Sequence, residues 1–581
     1  MPPWNCPVFD SSGLVKDHRN SGSTLLASGT ASIAIAVASA TASKSSTLTA
    51  SGTASLSAIT SSASASATEP GSWALSNGQA IWAIPEPTDI PSAFAARGLD
   101  EWTTHPVNTA TPTLPSPWTS DESGFYFVEN GGSNSGNGDP TDPRGTFPTG
   151  LSAGDVVVVS ELGGNFSSAS LNYDGTAGSF IHVVARNNSS KPVFTAGLDV
   201  SACTYCFIDG LAVQGALDTV YSVSGSNFVV TRNCYFRDTD TSTGSIIGCG
   251  VTTTNAYFYK NEVTAYASAD EGDWPLSYED HHGCKLRGQN IWWQENHMHH
   301  INGDCIQIAT DGDANTDAEN ILIFGNDFHH TYQTGCWTKA SLNLIVAHNT
   351  MHDTHSSGGG SQPIGLGGQY DFEWAYWIAN EIWDCGGGIG IASGSSTTSN
   401  NWHVIGNIIR DGTGDFFSPT SGGGEFAISE TSGTGGSQSY LYNTIYNYPG
   451  GMSSRRDGVV CVGNIVDDPD DATAPVTKGD HVFTEASITI NYNGFIGSSA
   501  QTGGTMLGNT GNVTDTDAEF ADAGNDDYEL EDTSPFVAQV PNSAVSGVLD
   551  EFETRYGYSI DKYFDGTARE STSNMGACKT A

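Results

Sequence analysis

The chain has 581 residues, with 21 Lys and Arg against 64 Asp and Glu, for a formal net charge of −43. A surface of that sign repels nucleic acid and anionic membranes, so neither is an expected partner. No run of about 18 apolar residues offers a membrane-spanning helix, and 69 glycines, 15% charged and 10% aromatic residues exclude a charged helical bundle or a disordered polyanion. The eleven cysteines are odd in number and scattered. Cys203 and Cys206 form one Cys-x-x-Cys without a second, so buried or locally bonded thiols are expected rather than a zinc module.

In chain order, Met1-Pro2-Pro3-Trp4-Asn5 is followed by Asp10, Lys16, Asp17 and Arg19, and then by a Leu25–Ala42 stretch interrupted by Ser, Thr and Gly. That is a poor apolar core for an export signal. Residues 1–70 are rich in Ser, Ala and Thr and contain a duplication: the segment 23–33 (STLLASGTASI) returns as 46–56 (STLTASGTASL). Ala31, Ile33, Ile35 and Val37 alternate with smaller residues, which predicts strands of a small β unit; a low-complexity linker is the plainer alternative. Residues 71–124 form an irregular, Pro- and Trp-bearing connector. At Phe125-Tyr126-Phe127-Val128 and again at Val156–Val159 the texture becomes short apolar strands separated by Gly/Asn/Asp loops.

A motif then recurs, Asn followed two positions later by an apolar residue, at Asn233, Asn261, Asn296, Asn326, Asn349, Asn380, Asn407, Asn443, Asn464 and Asn493, with gaps of 21 to 36 residues. Periods in this range signal a solenoid, and the uneven gaps place loops of different length around a constant coil. Asn tolerates left-handed backbone angles and its amide bonds the coils above and below, so stacked Asn form a ladder. Ten rungs at about 4.8 Å give a rod about 45 Å long.

The ladder, the entry strand and the ending resemble the pectate-lyase-like right-handed parallel β-helix proteins. In the ending the matching pieces are Tyr528-Glu529-Leu530 with Ser534-Pro535, 561–569 (DKYFDGTAR) and Met575-Gly576-Ala577. The resemblance implies an all-β right-handed parallel β-helix over residues 125–510, closed by 511–581 and preceded by the N-terminal unit. This architecture hosts lyases, hydrolases, epimerases and adhesins, so activity has to come from a site.

Ten of the 15 His lie between His281 and His355, and eight of the 13 Trp between Trp274 and Trp402. The only basic residues from Asn261 to Ile409 are Lys285, Arg287 and Lys339. Aligning 283–287, 305–308 and 336–339 with Cys284, Leu286, Ile306, Ile308, Cys336 and Thr338 inward turns Lys285, Arg287, Gln307, Trp337 and Lys339 outward on one sheet. In the next coils Ile364, Leu366, Ile389 and Ile391 are expected inward, leaving Gly365 and Gly390 as an open floor. Such a groove suits an acidic sugar chain, with Gln307 and Trp337 contacting sugar. β-Elimination of a uronate needs a cation on the carboxylate and a base of lowered pKa. Lyases of the resembled fold use Lys and Arg in this way, which implies Lys285 or Lys339 as base and Arg287 as carboxylate partner. Solvated surface cations are the alternative.

His299, His329 and His352 follow their ladder Asn by three positions, and His300, His330 and Asp353 by four, so each set forms a row. Such rows could bind sugar or a transition metal, supply acid–base groups, or simply stack. Asp311, Asp313, Asn315 and Asp317 offer oxygen ligands at alternate positions, resembling the start of a Ca2+ loop; Thr316 and Leu322 depart from the EF-hand pattern. The same loop could supply hydrolase carboxylates together with Asp304.

The first expectation for function is a bacteriophage tailspike or receptor-binding protein of the virion. It would be a homotrimer that binds, and in its enzymatic form depolymerises, a host cell-surface polysaccharide, with residues 1–120 contacting other virion proteins. The alternatives are an extracellular bacterial lyase acting on a uronate polymer, and a non-catalytic adhesin or structural virion protein.

Overall fold

The computed structural model describes residues 114–581, apart from internal segments of which 266–279, 413–425 and 468–481 are the longest, and four short strands before them. Two compact units are present, Met1–Asn77 with Val107–Thr113 and Gly78–Pro106 with Leu114–Ala581. In the first unit the duplicated segment pairs with its own copy: Thr24–Ser28 runs parallel to Thr47–Ser51, Thr24 opposite Thr47 and Ser28 opposite Ser51.

The second unit is the expected parallel β-helix, of about eleven turns. One wall is a 13-stranded sheet running from Val193–Phe194 to Val513–Asp515. The other walls merge into a 25-stranded sheet because long strands, such as Cys336–Ala347 and Ile364–Ile378, continue around a corner. Both faces of each coil cannot be wet, so every second side chain turns to the axis. The apolar residue two positions after each ladder residue, from Phe236 through Met298, Phe328 and Met351 to Phe495, is fully buried. Each such burial stabilises by about 1.5–3 kcal/mol. Together with Cys284, Ile306, Cys336, Leu366 and Ile389 they form one continuous core from Val128 to Phe495. The ten described cysteines are free thiols, nine of them buried. No helix among the described residues is long and apolar enough to cross a membrane.

The Asn column forms the ladder, with one change at each end. From Asn261 upward each side-chain N–H donates to the next Oδ1: Asn261 to Asn296 at 2.9 Å, Asn349 to Asn380 at 2.9 Å, Asn464 to Asn493 at 2.8 Å. Each Oδ1 also accepts the backbone N–H of the rung before, as Asn380 does from Asn349 at 3.0 Å. Asn233 is not a rung. Strand register puts Tyr235 opposite Glu262, so Cys234 occupies the column and donates its N–H to Asn261 Oδ1 at 3.0 Å. Asn233 sits one position earlier, where every coil turns left-handed: φ is 52° at Asn233, 51° at Lys260, 50° at Glu295 and 54° at His348. Counting Asn-x-apolar cannot separate the two neighbouring corner positions. At the other end Asn512 adds a rung, its Oδ1 accepting from Asn493 N at 2.8 Å.

A second, shorter column was not singled out in the sequence, although its members also satisfy the motif, with Ile345, Leu322 and Trp292 two positions after Asn343, Asn320 and Asn290. Asn343, Asn320, Asn290 and Asn255 each donate to the Asn Oδ1 of the coil before, at 3.1, 2.8, 3.0 and 2.8 Å, ending on Asn227. The closing segment caps this column. Helix Ser546–Tyr556 lays the Arg555 guanidinium 3.4 Å from the Trp374 ring centre, and Phe552 and Tyr556 pack edge-on against Tyr376. Further on, buried Arg569 is held between the rings of Tyr442 and Tyr563 and donates to the carbonyls of Lys562, Asn574 and Gly576.

The ladder predicts an asymmetry. Asn380→Ala removes a buried amide and orphans partners on two coils, an expected loss of about 2–4 kcal/mol. Asn233→Ala, outside the ladder, is expected to cost about 1 kcal/mol, mainly for a left-handed Ala. Denaturant unfolding of both variants checks the order; equal losses would contradict the assignment.

Candidate functional site

The register brings three of the predicted groove residues, Lys285, Gln307 and Trp337, onto one column. Lys285 lies opposite Gln307, Gln307 opposite Trp337, Trp337 opposite Gly367, and Gly367 opposite Gly390. The floor beyond Trp337 differs from expectation. Gly367, not Gly365, continues the column, and a Cβ there would collide with the Gly390 carbonyl and lie 2.7 Å from Trp337 Cζ3. The Trp337 ring therefore rests on a residue that has to be glycine. Gly365 faces the core, toward Ile382, and Ile364 lies outside the core cluster, against Gly387 and Gly390. Simple alternation therefore does not hold between Ile364 and Leu366. The positions beyond Trp337 are glycines packed against the Trp337 ring and the buried Ile364 side chain.

The three cations are close enough to act on one another. Lys285 is half-buried, and its ammonium pKa is pulled below the usual Lys value by burial and by the charges of Lys339 and Arg287, against the opposing carboxylate of Asp280. Arg287 Nη2 donates to Thr310 Oγ1 at 2.5 Å.

Beside them is a polar cluster the sequence did not reveal. His282 is fully buried, Asp304 1% exposed and Gln307 4% exposed. Asp304 N–H donates to His282 Nδ1 at 3.0 Å, and His282 Nε2 lies 3.0 Å from the Gln307 amide nitrogen and 3.4 Å from Asp280 Oδ1. Gln307 Nε2 donates to Asp304 Oδ2 at 3.2 Å, Thr334 Oγ1 to Asp304 Oδ1 at 2.6 Å, and Gln333 Nε2 to Asp280 Oδ1 at 2.8 Å. The Gln307 amide, expected to meet sugar, is thus engaged inside the protein, where it braces His282. Only the doublet His281-His282 next to Asp280 hinted at this cluster; two adjacent His do not say which one points where. Such a network holds its members in single rotamers and keeps Lys285 on a rigid support.

The 13-stranded wall carries the His rows as expected. His299, His329 and His352 lie opposite one another, and their rings stack at 5.3 and 4.9 Å, with Trp383 continuing at 4.4 Å. His300 stacks on His330 at 4.7 Å in the neighbouring left-handed column. His297 joins the row from within its own strand, His297–Ile301: its Nε2 lies 2.7 Å from His329 Nε2 and 3.8 Å from Asp327 Oδ2. His352 Nε2 lies 3.4 Å from Asp327 Oδ1, and its Nδ1 is 2.8 Å from Asp353 Oδ2. Burial, then the neighbouring His299, lowers His297 to about 4, and burial with His297 and His352 holds His329 well below its ordinary value. Burial also disfavours charge on His352, but Asp327 and Asp353 outweigh it and raise the group to about 9.

In the predicted Ca2+ loop, Asp311, Asp313 and the Asn315 side chain lie outside the described residues. Asp317 Oδ2 accepts the Ala314 N–H at 3.1 Å and so closes its own turn.

No protein-family model matches the chain, and no curated protein does. Among solved structures it is similar to pectate lyase Pel9A, at 11% identity over 79% of this chain and 96% of that one, with a TM-score of 0.37. It is also similar to XylC in its complex with xylose (10% identity, 78% and 99% covered, TM-score 0.39). A third is PfbA, a surface adhesin of Streptococcus pneumoniae (13% identity, 60% and 83% covered, TM-score 0.36).

The His row has a two-sided pH signature. The folded pKa of His297, about 4, is depressed, so its contribution is complete above the unfolded value of about 6.5 and is lost as pH falls toward 4. His352 is raised, so its contribution is complete below about 6.5 and is lost as pH climbs through about 9. His352→Gln is expected to flatten the alkaline decline by up to about 1.4 kcal/mol per pH unit, measured as unfolding free energy at pH 6, 8 and 10. An unchanged alkaline slope would contradict it.

Proposed function

We propose that the Lys285–Trp337 wall binds an acidic polysaccharide and cleaves it by β-elimination. The observation that carries this reading is Lys285 itself. It is half-buried, depressed by burial and two neighbouring cations, and shares a column with an aromatic ring seated on glycine. An amine of lowered pKa has a larger neutral fraction, the form that can accept a proton. Lys285 Nζ takes the proton on the carbon next to the uronate carboxylate, the electron pair forms a carbon–carbon double bond, and the glycosidic carbon–oxygen bond on the next carbon breaks. The departing oxygen takes a proton from solvent water, and Lys285 returns the abstracted proton to the hydroxide left behind. Arg287 and Lys339 neutralise the carboxylate while charge builds on it, and Trp337 offers a face for a sugar ring.

The finer reading is a virion spike whose polymer is a host surface polysaccharide. It is supported by a separate N-terminal unit whose duplicated strands pair with each other.

Incubation with uronate-containing capsules is expected to release unsaturated ends, detected by ultraviolet absorbance. Lys285→Ala should slow release by about 10²–10⁴-fold while leaving polymer binding largely intact, and Trp337→Ala should weaken binding. Binding without unsaturated ends would reject elimination. Detection in purified phage particles, and as a trimer, checks the spike; a monomeric lyase absent from particles would reject it.

A further inference from the structure

The His row on the 13-stranded wall contains an arrangement that sugar binding does not require. Within it, donor atoms of His297, Asp327 and His329 all lie within 4.8 Å of one another. Asp327 is 2% exposed, and its Oδ2 has no hydrogen-bond partner. That oxygen is turned toward His297 Nε2, 3.8 Å away, too far for a hydrogen bond. A buried carboxylate oxygen left without a donor costs free energy that a bound cation would repay. The His297 ring is 13% exposed, which leaves an ion a route from solvent.

We propose that His297 Nε2, His329 Nε2 and Asp327 Oδ2 bind a transition-metal divalent ion. Two imidazoles and one carboxylate suit zinc, cobalt, nickel or copper and disfavour calcium and magnesium, which prefer all-oxygen shells. Metal–ligand bonds near 2.1 Å set ligand atoms about 3.4 Å apart in a tetrahedron. The 2.7 Å between the two ring nitrogens and the 3.8 Å from His297 Nε2 to Asp327 bracket that value, so shifts of about 0.4–0.7 Å bring these two pairs to it.

The neighbours are placed to orient these ligands. His330 Nδ1 lies 2.6 Å from His329 Nδ1, which engages the far side of that ring and directs Nε2 at the site. His352 holds Asp327 Oδ1 at 3.4 Å, and Thr350 donates to the same oxygen at 2.9 Å, leaving Oδ2 for the ion. Parallel stacking of His299, His329, His352 and Trp383 keeps the rings in register. The site stands on a different sheet from Lys285 and is independent of the lyase reading.

The test uses the tag-free full chain, stripped with chelator and titrated with Co2+ and with Zn2+ by calorimetry, with visible absorption of Co2+ reporting nitrogen ligation. One ion per chain is expected, with nitrogen-type Co2+ bands. His297→Ala and His329→Ala should each lose that binding, and Thr350→Val, acting through Asp327, should weaken it by about 10–100-fold. His297→Ala truncates a partly exposed ring, so its ion-free unfolding midpoint shows whether the fold is kept. No ion in the parent chain, or ion binding unchanged in both His variants, overturns the proposal. Binding that survives both but vanishes in Asp313→Ala assigns the ion to the acidic loop and overturns it equally.

Discussion

The amide–amide hydrogen bond between Asn side chains of successive coils constrains everything else in this β-helix. At Asn349 every donor and acceptor is used. Oδ1 accepts from the backbone and the side chain of Asn326, and Nδ2 donates to Asn380 Oδ1 and to the carbonyls of Ile323 and Ala347. Slipping one coil by one residue would break these bonds and turn the core side chains to water. The ladder therefore locks register over coils whose loops differ greatly in length. It lets the sequence vary the loops while Lys285, Gln307 and Trp337 stay in line.

Much of this was legible because it repeats. The Asn spacing, the apolar residue two positions on and the His rows each recur, so one reading is checked by the next. Repetition fails at its edges. Asn233 satisfies the motif but occupies the left-handed corner, with Cys234 in the column. Asn512 escapes notice because Thr514, not an apolar residue, stands two positions after it. Gly365, expected in the outer column, faces the core because alternation fails at one coil, and no local residue announces it. The buried His282–Asp304–Gln307 cluster was illegible for a different reason. It depends on side chains from two coils meeting, and Gln307 looks the same on paper whether its amide faces sugar or His282.

The two walls use the same geometry for opposite chemistry. On the Lys285 wall, like charges are gathered and partly buried, so that an amine is eased toward neutrality. On the His wall, neutral rings are stacked around a buried carboxylate, which one protonated His balances. Coil spacing near 4.8 Å serves both, being short enough for charges to act on one another and right for ring stacking.

The ladder also has a direction. Backbone bonds between coils run both ways: Cys284 N–H donates forward to Cys305, whereas Ala309 N–H donates back to Leu286. In the main ladder the amide-to-amide bond of each Asn from Asn261 to Asn493 points forward, toward the C-terminal end. The amide dipoles therefore add along the rod while those of the backbone largely cancel, and each polarises the next. One consequence is that the two ends of the column are chemically unlike. The first oxygen needs a donor, supplied by the Cys234 backbone, and the last amide needs an acceptor, supplied by Asn509 Oδ1 at 2.6 Å. The column behaves as a buried wire with a fixed polarity, and reversing or splicing a coil would require reversing the wire.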